Sequence, residues 1–270
     1  MCQSSFARRL GRWQGQSTTK STPLQRRRLA LLRREWQLSL YPQAAEAGGC
    51  LMTLGPRDAS GRGTDPERAA AEAVRRARAK IRRYGVANRL NRLATLTYTG
   101  AGCHDPVQLR QDVGAFFKRL RPALGGQALP YVWVPEWHPG GHGLHVHFIV
   151  GRYVRQSLIR EAWGHGIVHI KLIGDLPVGS GTLAEARKAA GYLCKYIGKG
   201  LEDERRRSGL HRYEVAQGFQ PERIYVYGET DDAAIARASE YMTREPETIW
   251  RSSSVEGWRG PPACWVAWPD

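Results

Sequence analysis

The stretch "WVPEWHPGGHGLHVHFIV", Trp133 to Val150, holds four histidines within ten residues, at 138, 142, 145 and 147. Apolar runs rich in β-branched and aromatic residues flank a Pro-Gly-Gly turn, which is the pattern of a β-hairpin. A hairpin joins neighbouring antiparallel strands, so this stretch decides the fold class against a doubly wound parallel sheet. Alternate residues of a strand share a face. Leu144, Val146, Phe148 and Val150 therefore point to a core, and His145, His147 and Ile149 point the other way. With "PGGH" (139–142) as a four-residue loop, His138 pairs with Gly143 and Glu136 with His145. Directly opposed side chains lie about 4.5–5.5 Å apart at their β-carbons. Two imidazoles and a carboxylate on one face form a candidate set for Mg2+, Mn2+ or Zn2+, with positions left for a substrate. The set depends on Pro135. A bulge there would slip the pairing by one residue and turn Glu136 to the other face. The alternative is two exposed strand histidines with no ligand role. His138 and His142 read as turn residues and as reserve ligands.

Around the hairpin, strands and helices alternate. "RLATLTYT" (92–99) has the period-two rhythm of a strand, and "DPVQLRQDVGAFFKRLRPAL" (105–124) is a helix opened by Asp105-Pro106. A helix over "RQSLIREAWG", a strand over "GIVHIKLI", a helix over "TLAEARKAAGYLCKYIGKG", a strand over "RIYVYGET" and a helix over "DAAIARASEYMT" follow. Upstream, "DPERAAAEAVRRARAKIRRYG" (65–85) reads as a helix capped by Asp65 and stopped by Gly85. The pattern predicts an α+β fold with a central antiparallel β-sheet flanked by helices.

Charge points to the partner. The net charge is +16, and of 41 basic residues 34 are arginine. Such an excess fits a polyanion, because basic groups release counterions from a phosphate backbone; solubility and an arginine bias are the plainer explanation. The arginines of 65–85 place that helix against DNA or at the rim of a groove. Residues 1–35 contain "ARRLGRW" and "LQRRRLALLRREW" and read as a basic arm, or else a solvated tail. "PRDASGRGT" (56–64) is a connection. The five cysteines, at 2, 50, 103, 194 and 264, form no C-x-x-C pair, so neither a disulfide framework nor a zinc knuckle is expected. No apolar run approaches the length of a membrane span and no signal peptide is evident, so a cytoplasmic protein with no membrane partner is expected.

The helix "TLAEARKAAGYLCKYIGKG" opens with a capping box, Thr182 and Glu185, and Gly200 reads as its stop. Tyr192, Lys195, Tyr196 and Lys199 follow the i, i+3, i+4, i+7 spacing and share a face. Leu183, Ala186, Ala190, Leu193 and Ile197 form an apolar stripe nearly opposite, so the tyrosines are not part of the core stripe. A tyrosine can attack a phosphodiester and form a covalent ester. Its phenol titrates near pH 10 and needs help at neutral pH, from a metal on the phosphate or a nearby ammonium. Two tyrosines four residues apart would permit two successive transfers.

These motifs resemble the HUH endonucleases, and among them the two-tyrosine rolling-circle replication initiators of plasmids and single-stranded-DNA phages. "LATLTYT" (93–99) resembles the first family motif, "HVH" (145–147) the metal motif, and "LCKYIGK" (193–199) the tyrosine motif, in the family's order. The likeness spans roughly residues 92–228. It implies a ferredoxin- or RRM-like sheet with the histidines on a middle strand and the tyrosine helix laid against it. It implies a metal, Mg2+ or Mn2+, held by His145, His147 and Glu136. It further implies attack by Tyr196, with Tyr192 as partner and Lys195 and Lys199 beside them, on single-stranded or hairpin origin DNA. The products would be a 5′-phosphotyrosyl link and a free 3′-OH. Thr95 and Thr97 of the first motif, and Arg205, Arg206, Arg207 and Arg212 of "RRRSGLHRYEVAQGF", are candidate DNA contacts. On this reading residues 1–64 are a basic arm and linker, 65–252 the nuclease domain, and 253–270 a Trp-rich tail packed on it.

Two features depart from the family. It often sets its acidic residue closer to the first histidine than the nine residues separating Glu136 from His145. There is also no G-x-x-x-x-G-K-[ST], so unwinding is left to a host helicase and replisome. Two-tyrosine transposases share the motif order, and a catalytically inactive DNA-binding regulator would share the fold. A conjugative relaxase orders its motifs differently, and an ordinary metallohydrolase would have no use for paired tyrosines. Tyr98, Tyr131, Trp133 and Trp137 could stack on bases, although packing is the readier role; His165 and His169 read as structural.

Overall fold

The structure, a computed structural model, describes residues 34–53, 66–171, 182–202, 213–258 and 260–270. In chain order the described elements begin with β1 (Arg34–Tyr41), β2 (Glu46–Thr53), α1 (Pro66–Ala87), β3 (Arg92–Leu96) and α2 (Pro106–Ala123). Next come β4 (Tyr131–Trp137), β5 (Leu144–Val150), α3 (Gln156–Trp163), β6 (Val168–Lys171) and α4 (Leu183–Glu202). Last are β7 (Glu214–Val215), β8 (Ile224–Gly228), α5 (Asp231–Met242), β9 (Thr248–Arg251) and β10 (Ala263–Ala267). They form an α+β fold with two antiparallel five-stranded sheets, ordered β6-β3-β5-β4-β7 and β8-β1-β2-β10-β9.

The first sheet is the one expected from the hairpin, and period-two alternation explains its two covered faces. Leu96, Val146, Phe148 and Trp133 meet Val113, Phe116 and Leu120 of α2 and Trp163 of α3. On the opposite face, Leu93, Val134 and Ile149 meet Val74, Ile81 and Tyr84 of α1 and Leu193 of α4. Burying a side chain of this size contributes about 1.5–3 kcal/mol. The Asp105 cap forms as read, its carboxylate accepting from Val107 N at 2.9 Å.

The helix ends differ from the sequence reading. Helix α1 runs through Gly85 to Ala87, and α4 runs through Gly200 to Glu202. Gly85 is not a stop but a crossing point. A β-carbon there would lie 3.3 Å from Ala190 Cβ and 3.5 Å from Ile149 Cδ1, so its lack of a side chain lets α1 pack on α4. Asp65, read as the α1 cap, lies outside the described residues.

The second sheet had no counterpart in the sequence reading. Residues 34–53, within the stretch read as arm and linker, form the β1–β2 hairpin. Ala263–Ala267, within the stretch read as a tail, is the interior strand β10 between β2 and β9. Leu38, Leu40 and Val266 bury against Ala234, Ile235 and Ala238 of α5, and Trp268 is fully buried with its indole donating to Ser239 Oγ at 3.3 Å.

A buried carboxylate joins this sheet to α1. Glu46 is 2% exposed. Arg82 donates to it from Nε (2.7 Å) and Nη2 (3.1 Å), and Arg83 donates from Nε at 2.7 Å. Arg82 also lies over the Trp265 ring and Arg83 over the Tyr41 ring, at 5.0 and 4.4 Å from the centroids. Two of the arginines read as facing DNA are thus held by the protein itself. Glu46→Gln should lower unfolding stability by about 2–3 kcal/mol in a denaturant titration. The expected loss is below that of a fully buried pair because the guanidinium groups keep some access to water. Glu72→Gln, which breaks only the exposed pair with Arg75, should stay within about 0.5 kcal/mol.

Candidate active site

The hairpin pairs as the sequence predicts: Glu136 opposes His145, and His138 N donates to Gly143 O at 2.8 Å. Pro135 sits in register opposite Val146 without a bulge. The reason lies in the alternation of an antiparallel ladder. His138 bonds across to β5, so Pro135, three residues earlier, has its nitrogen on the other side. There β7 pairs only with Val132 and Trp133, so the absent N–H costs no ladder bond to that strand. The turn is pinned from outside as well. Leu144 N donates to Cys103 O at 2.7 Å. Gly143 has φ +77°, and a β-carbon there would lie 2.2 Å from that same oxygen. Only glycine fits.

The register brings three strands to one point. Thr95 on β3 opposes His147, and Glu136 on β4 is its diagonal neighbour. His147 Nε2 lies 2.7 Å from Glu136 Oε2, and Nδ1 lies 2.9 Å from Thr95 Oγ1. An ionised carboxylate only accepts, so Nε2 carries the proton; Nδ1 of the neutral ring then accepts from the threonine hydroxyl. Thr95, read as a DNA contact, thereby orients a histidine. The His147 and Glu136 side chains are only 8% and 14% exposed.

His145 is different. Its Nε2 is buried without a hydrogen-bond partner, and its ring lies 4.5 Å from that of His138. Burial, and then the neighbouring His138 and His147, hold its pKa below the usual histidine value against an opposing pull from Glu136. The ring is therefore neutral near pH 7. His138 Nδ1 accepts from Gly140 N at 3.0 Å, a turn role as read. Among the described residues, no three His, Cys, Asp or Glu side chains are already gathered as a metal-binding group. The donor chemistry nonetheless suits a divalent cation: an unpartnered buried imidazole nitrogen stands beside a histidine–carboxylate pair.

Helix α4 covers the same face of the sheet, lying against β4 and β5. Thr182 Oγ1 accepts from Glu185 N at 3.2 Å, and Glu185, 6% exposed, accepts from Asn91 Nδ2 at 3.0 Å. Leu183, Ala186, Ala189, Ala190 and Leu193 are buried, so the apolar stripe is where the periodicity put it. Tyr192 is less separate from the core than its spacing suggested. It is partly buried and packs at the edge of the cluster beneath α1 and α4, with the Lys195 ammonium 5.2 Å from its ring centroid. The α4 backbone includes Tyr196 and Lys199, but their side chains lie outside the described residues, as do Arg205, Arg206, Arg207 and Arg212.

Thr97 exchanges backbone hydrogen bonds with Ile167, and its carbonyl accepts from Trp163 Nε1 at 3.0 Å. Trp133 is buried, and Tyr131 stacks on Phe117 at 3.5 Å between centroids. By strand parity Tyr131, Trp133 and Trp137 lie on the α2 side, away from the histidines. The sequence reading passed over Asp112 on that side. It accepts from Tyr98 Oη at 2.8 Å and from Gln108 Nε2 at 2.9 Å. Burial and then the Asp112 bond raise the Tyr98 pKa well above the usual tyrosine value. The available signal was an aspartate among Leu109, Val113 and Phe116 on the apolar face of α2.

Residues 91–201 match a family model described as replication-associated protein, ORF2 type. The match supports a relationship to rolling-circle replication initiators and an interaction with DNA. It covers less than half of the chain, but it runs from Asn91 through the histidine strand to the tyrosine helix. No curated protein and no solved structure matches. No helix among the described residues is long and apolar enough to cross a membrane.

Glu136→Ala removes the carboxylate acceptor of a buried imidazole. It should cost about 1–3 kcal/mol in chemical denaturation, with the His147 ring protons shifted in NMR spectra and those of His165 unmoved.

Proposed function

We propose that the chain is a replication initiator that nicks and rejoins single-stranded origin DNA through a tyrosine ester, in the manner of two-tyrosine HUH endonucleases. The observation that carries this reading is the single match over 91–201, which takes in both the face bearing His145, His147 and Glu136 and the helix bearing Tyr192 and Tyr196. Helix α4 lies across the strands that carry those three residues, which supports their acting together.

The chemistry is a transesterification. A tyrosine Oη attacks the scissile phosphorus, the Oη–P bond forms and the P–O3′ bond breaks. The phenolic proton is lost and the 3′ oxygen gains one, leaving a 5′-phosphotyrosyl link and a 3′-OH that can prime synthesis. Tyr196 best fits the family's motif and is assigned the first attack, with Tyr192 supplying the second. Lys195 and Lys199 supply positive charge beside the phosphate as negative charge develops. A divalent ion, Mg2+ or Mn2+, held by His145, His147 and Glu136 would supply Lewis-acid polarisation of a phosphate oxygen. Thr95 fixes the His147 ring, the kind of outer support whose loss typically costs about 10–100-fold in metal affinity. Thr97 and the arginines of 205–212 are assigned to the DNA backbone, and unwinding to a host helicase and replisome.

The test is incubation with single-stranded origin DNA and Mn2+ or Mg2+, followed by denaturing electrophoresis. A covalent protein–DNA adduct should form, vanish on chelation with EDTA, and vanish in the Tyr192→Phe/Tyr196→Phe double variant. His145→Ala should lose adduct while still shifting the DNA in a native gel. Adduct persisting in the double variant would overturn the mechanism.

A further inference from the structure

The second sheet has a face that the tyrosine site does not use. One face of this sheet is core, covered by α5. On the other, the register sets one row across all five strands: Tyr225, Ser39, Gly48, Trp265, Trp250. The next row begins with Tyr227 and Gln37. Both tyrosines belong to the edge strand β8 and are 45% and 41% exposed, whereas the alternate residues Ile224 and Val226 pack inward. Two solvent-facing rings on one strand are not needed for the core.

Their surroundings are basic. The Arg223 guanidinium lies over the Tyr225 ring at 4.8 Å from its centroid. Arg83 covers Tyr41, and its Nη2 would lie 3.4 Å from a β-carbon placed on Gly48. Glu46 is already taken up by Arg82 and Arg83, while Glu222 at the margin accepts from Gln43. Ser39 and Gly48 keep the floor between Tyr225 and Trp265 low. Gln37 Nε2 donates to Tyr227 Oη at 3.0 Å, which steadies that ring. Side chains two apart on a strand are separated by about 6.6 Å, roughly twice the 3.4 Å rise per nucleotide of a stacked strand. Each ring can therefore receive one base of a stretched single strand, and a duplex with its bases paired cannot use them.

We propose that this face of the second sheet is a single-stranded DNA platform on which Tyr225 and Tyr227 stack bases and Arg223 and Arg83 meet phosphates. It rests on the DNA-binding reading of the chain but not on the tyrosine chemistry. The +16 net charge favours a polyanion over a neutral or basic protein surface as the occupant. Stacking is tolerant of sequence because every base has a π-face, so the platform would hold the strand without reading it.

The test uses the full chain and fluorescence anisotropy with labelled oligothymidine and oligoadenosine. Tyr225→Ala/Tyr227→Ala should weaken both about tenfold or more, while Tyr225→Phe/Tyr227→Phe, which keeps the rings, should stay within about twofold. Adduct formation on a short oligonucleotide confined to the scissile site should be unchanged in the alanine variant. Irradiation of a bromodeoxyuridine oligonucleotide bound to the unaltered protein should crosslink the peptide containing Arg223–Gly228, a measurement that needs no variant to fold. Undiminished affinity in the alanine variant, or crosslinks elsewhere and none on β8, would overturn the platform; an RNA-only preference or a protein ligand would do the same. Ring-dependent binding in a protein that forms no adduct would support the platform and count against the nicking reaction alone.

Discussion

The pairing of β4 with β5 is the constraint on which the candidate site depends. A strand has a side-chain period of two, so a slip of one residue would carry Glu136 to the α2 face. Three local features oppose that slip. Pro135 has its missing N–H on the side away from β5, and His138 closes the loop on Gly143. Gly143 admits the Cys103 carbonyl where any side chain would collide. The carboxylate opposes His145 in the ladder yet bonds His147 on the diagonal, and β3 completes the arrangement by bringing Thr95 to the far ring nitrogen.

The two histidines are therefore inequivalent, although the strand pattern treats them alike. His147 is held on both ring nitrogens in a site closed to water, which fixes its tautomer and rotamer. His145 has a buried Nε2 with no partner and a ring crowded by His138. An unsatisfied buried polar atom costs free energy comparable to a lost hydrogen bond. Such a cost is tolerated where a ligand relieves it, and a cation would do so because the neutral ring offers a lone pair. The cost thus falls on the one member of the proposed set that the fold leaves without a hydrogen bond.

What could be read in the sequence follows the strength of periodic signals. The hairpin, the Asp105 cap, the apolar stripe of α4 and the Glu136–His145 register all rest on short-range rules, and each takes the predicted form. The second sheet rests on pairing between residues far apart in the chain. Its β2 strand reads "EAGGCLMT", whose adjacent glycines erase the alternation, and β1 directly follows an arginine-rich run. Its β10 strand lies in a segment that tryptophan content marked as packing material but that nothing local marked as a strand. Gly85 misled for the opposite reason. Glycine at a helix end signals a stop, yet here the long-range approach of Ala190 and Ile149 requires it. The Thr95–His147 bond was out of reach because the β3–β5 register is set by no turn between them.

The second sheet also gives the tyrosine helix its mount. Leu183 N, at the start of α4, donates to Asp270 Oδ2 at 2.7 Å, and Arg187 donates to the carbonyls of Trp268 and Ala45 at 2.9 and 3.3 Å. Those acceptors follow β10 and precede β2. From the other side, Asn91 at the head of β3 donates to Glu185. The first turns of α4 are thus held between the two sheets, and a helix transmits that placement along its axis because its backbone bonds leave little freedom to twist. Tyr192, two to three turns along, inherits its position over the histidine sheet from contacts made at the helix start. The same logic runs through α1: Glu46 ties Arg82 and Arg83 to β2, and Gly85 presses α1 on α4. A change in the β1–β2 hairpin therefore reaches the tyrosine face by two routes, so this sheet cannot be trimmed away as an appendage without moving the site.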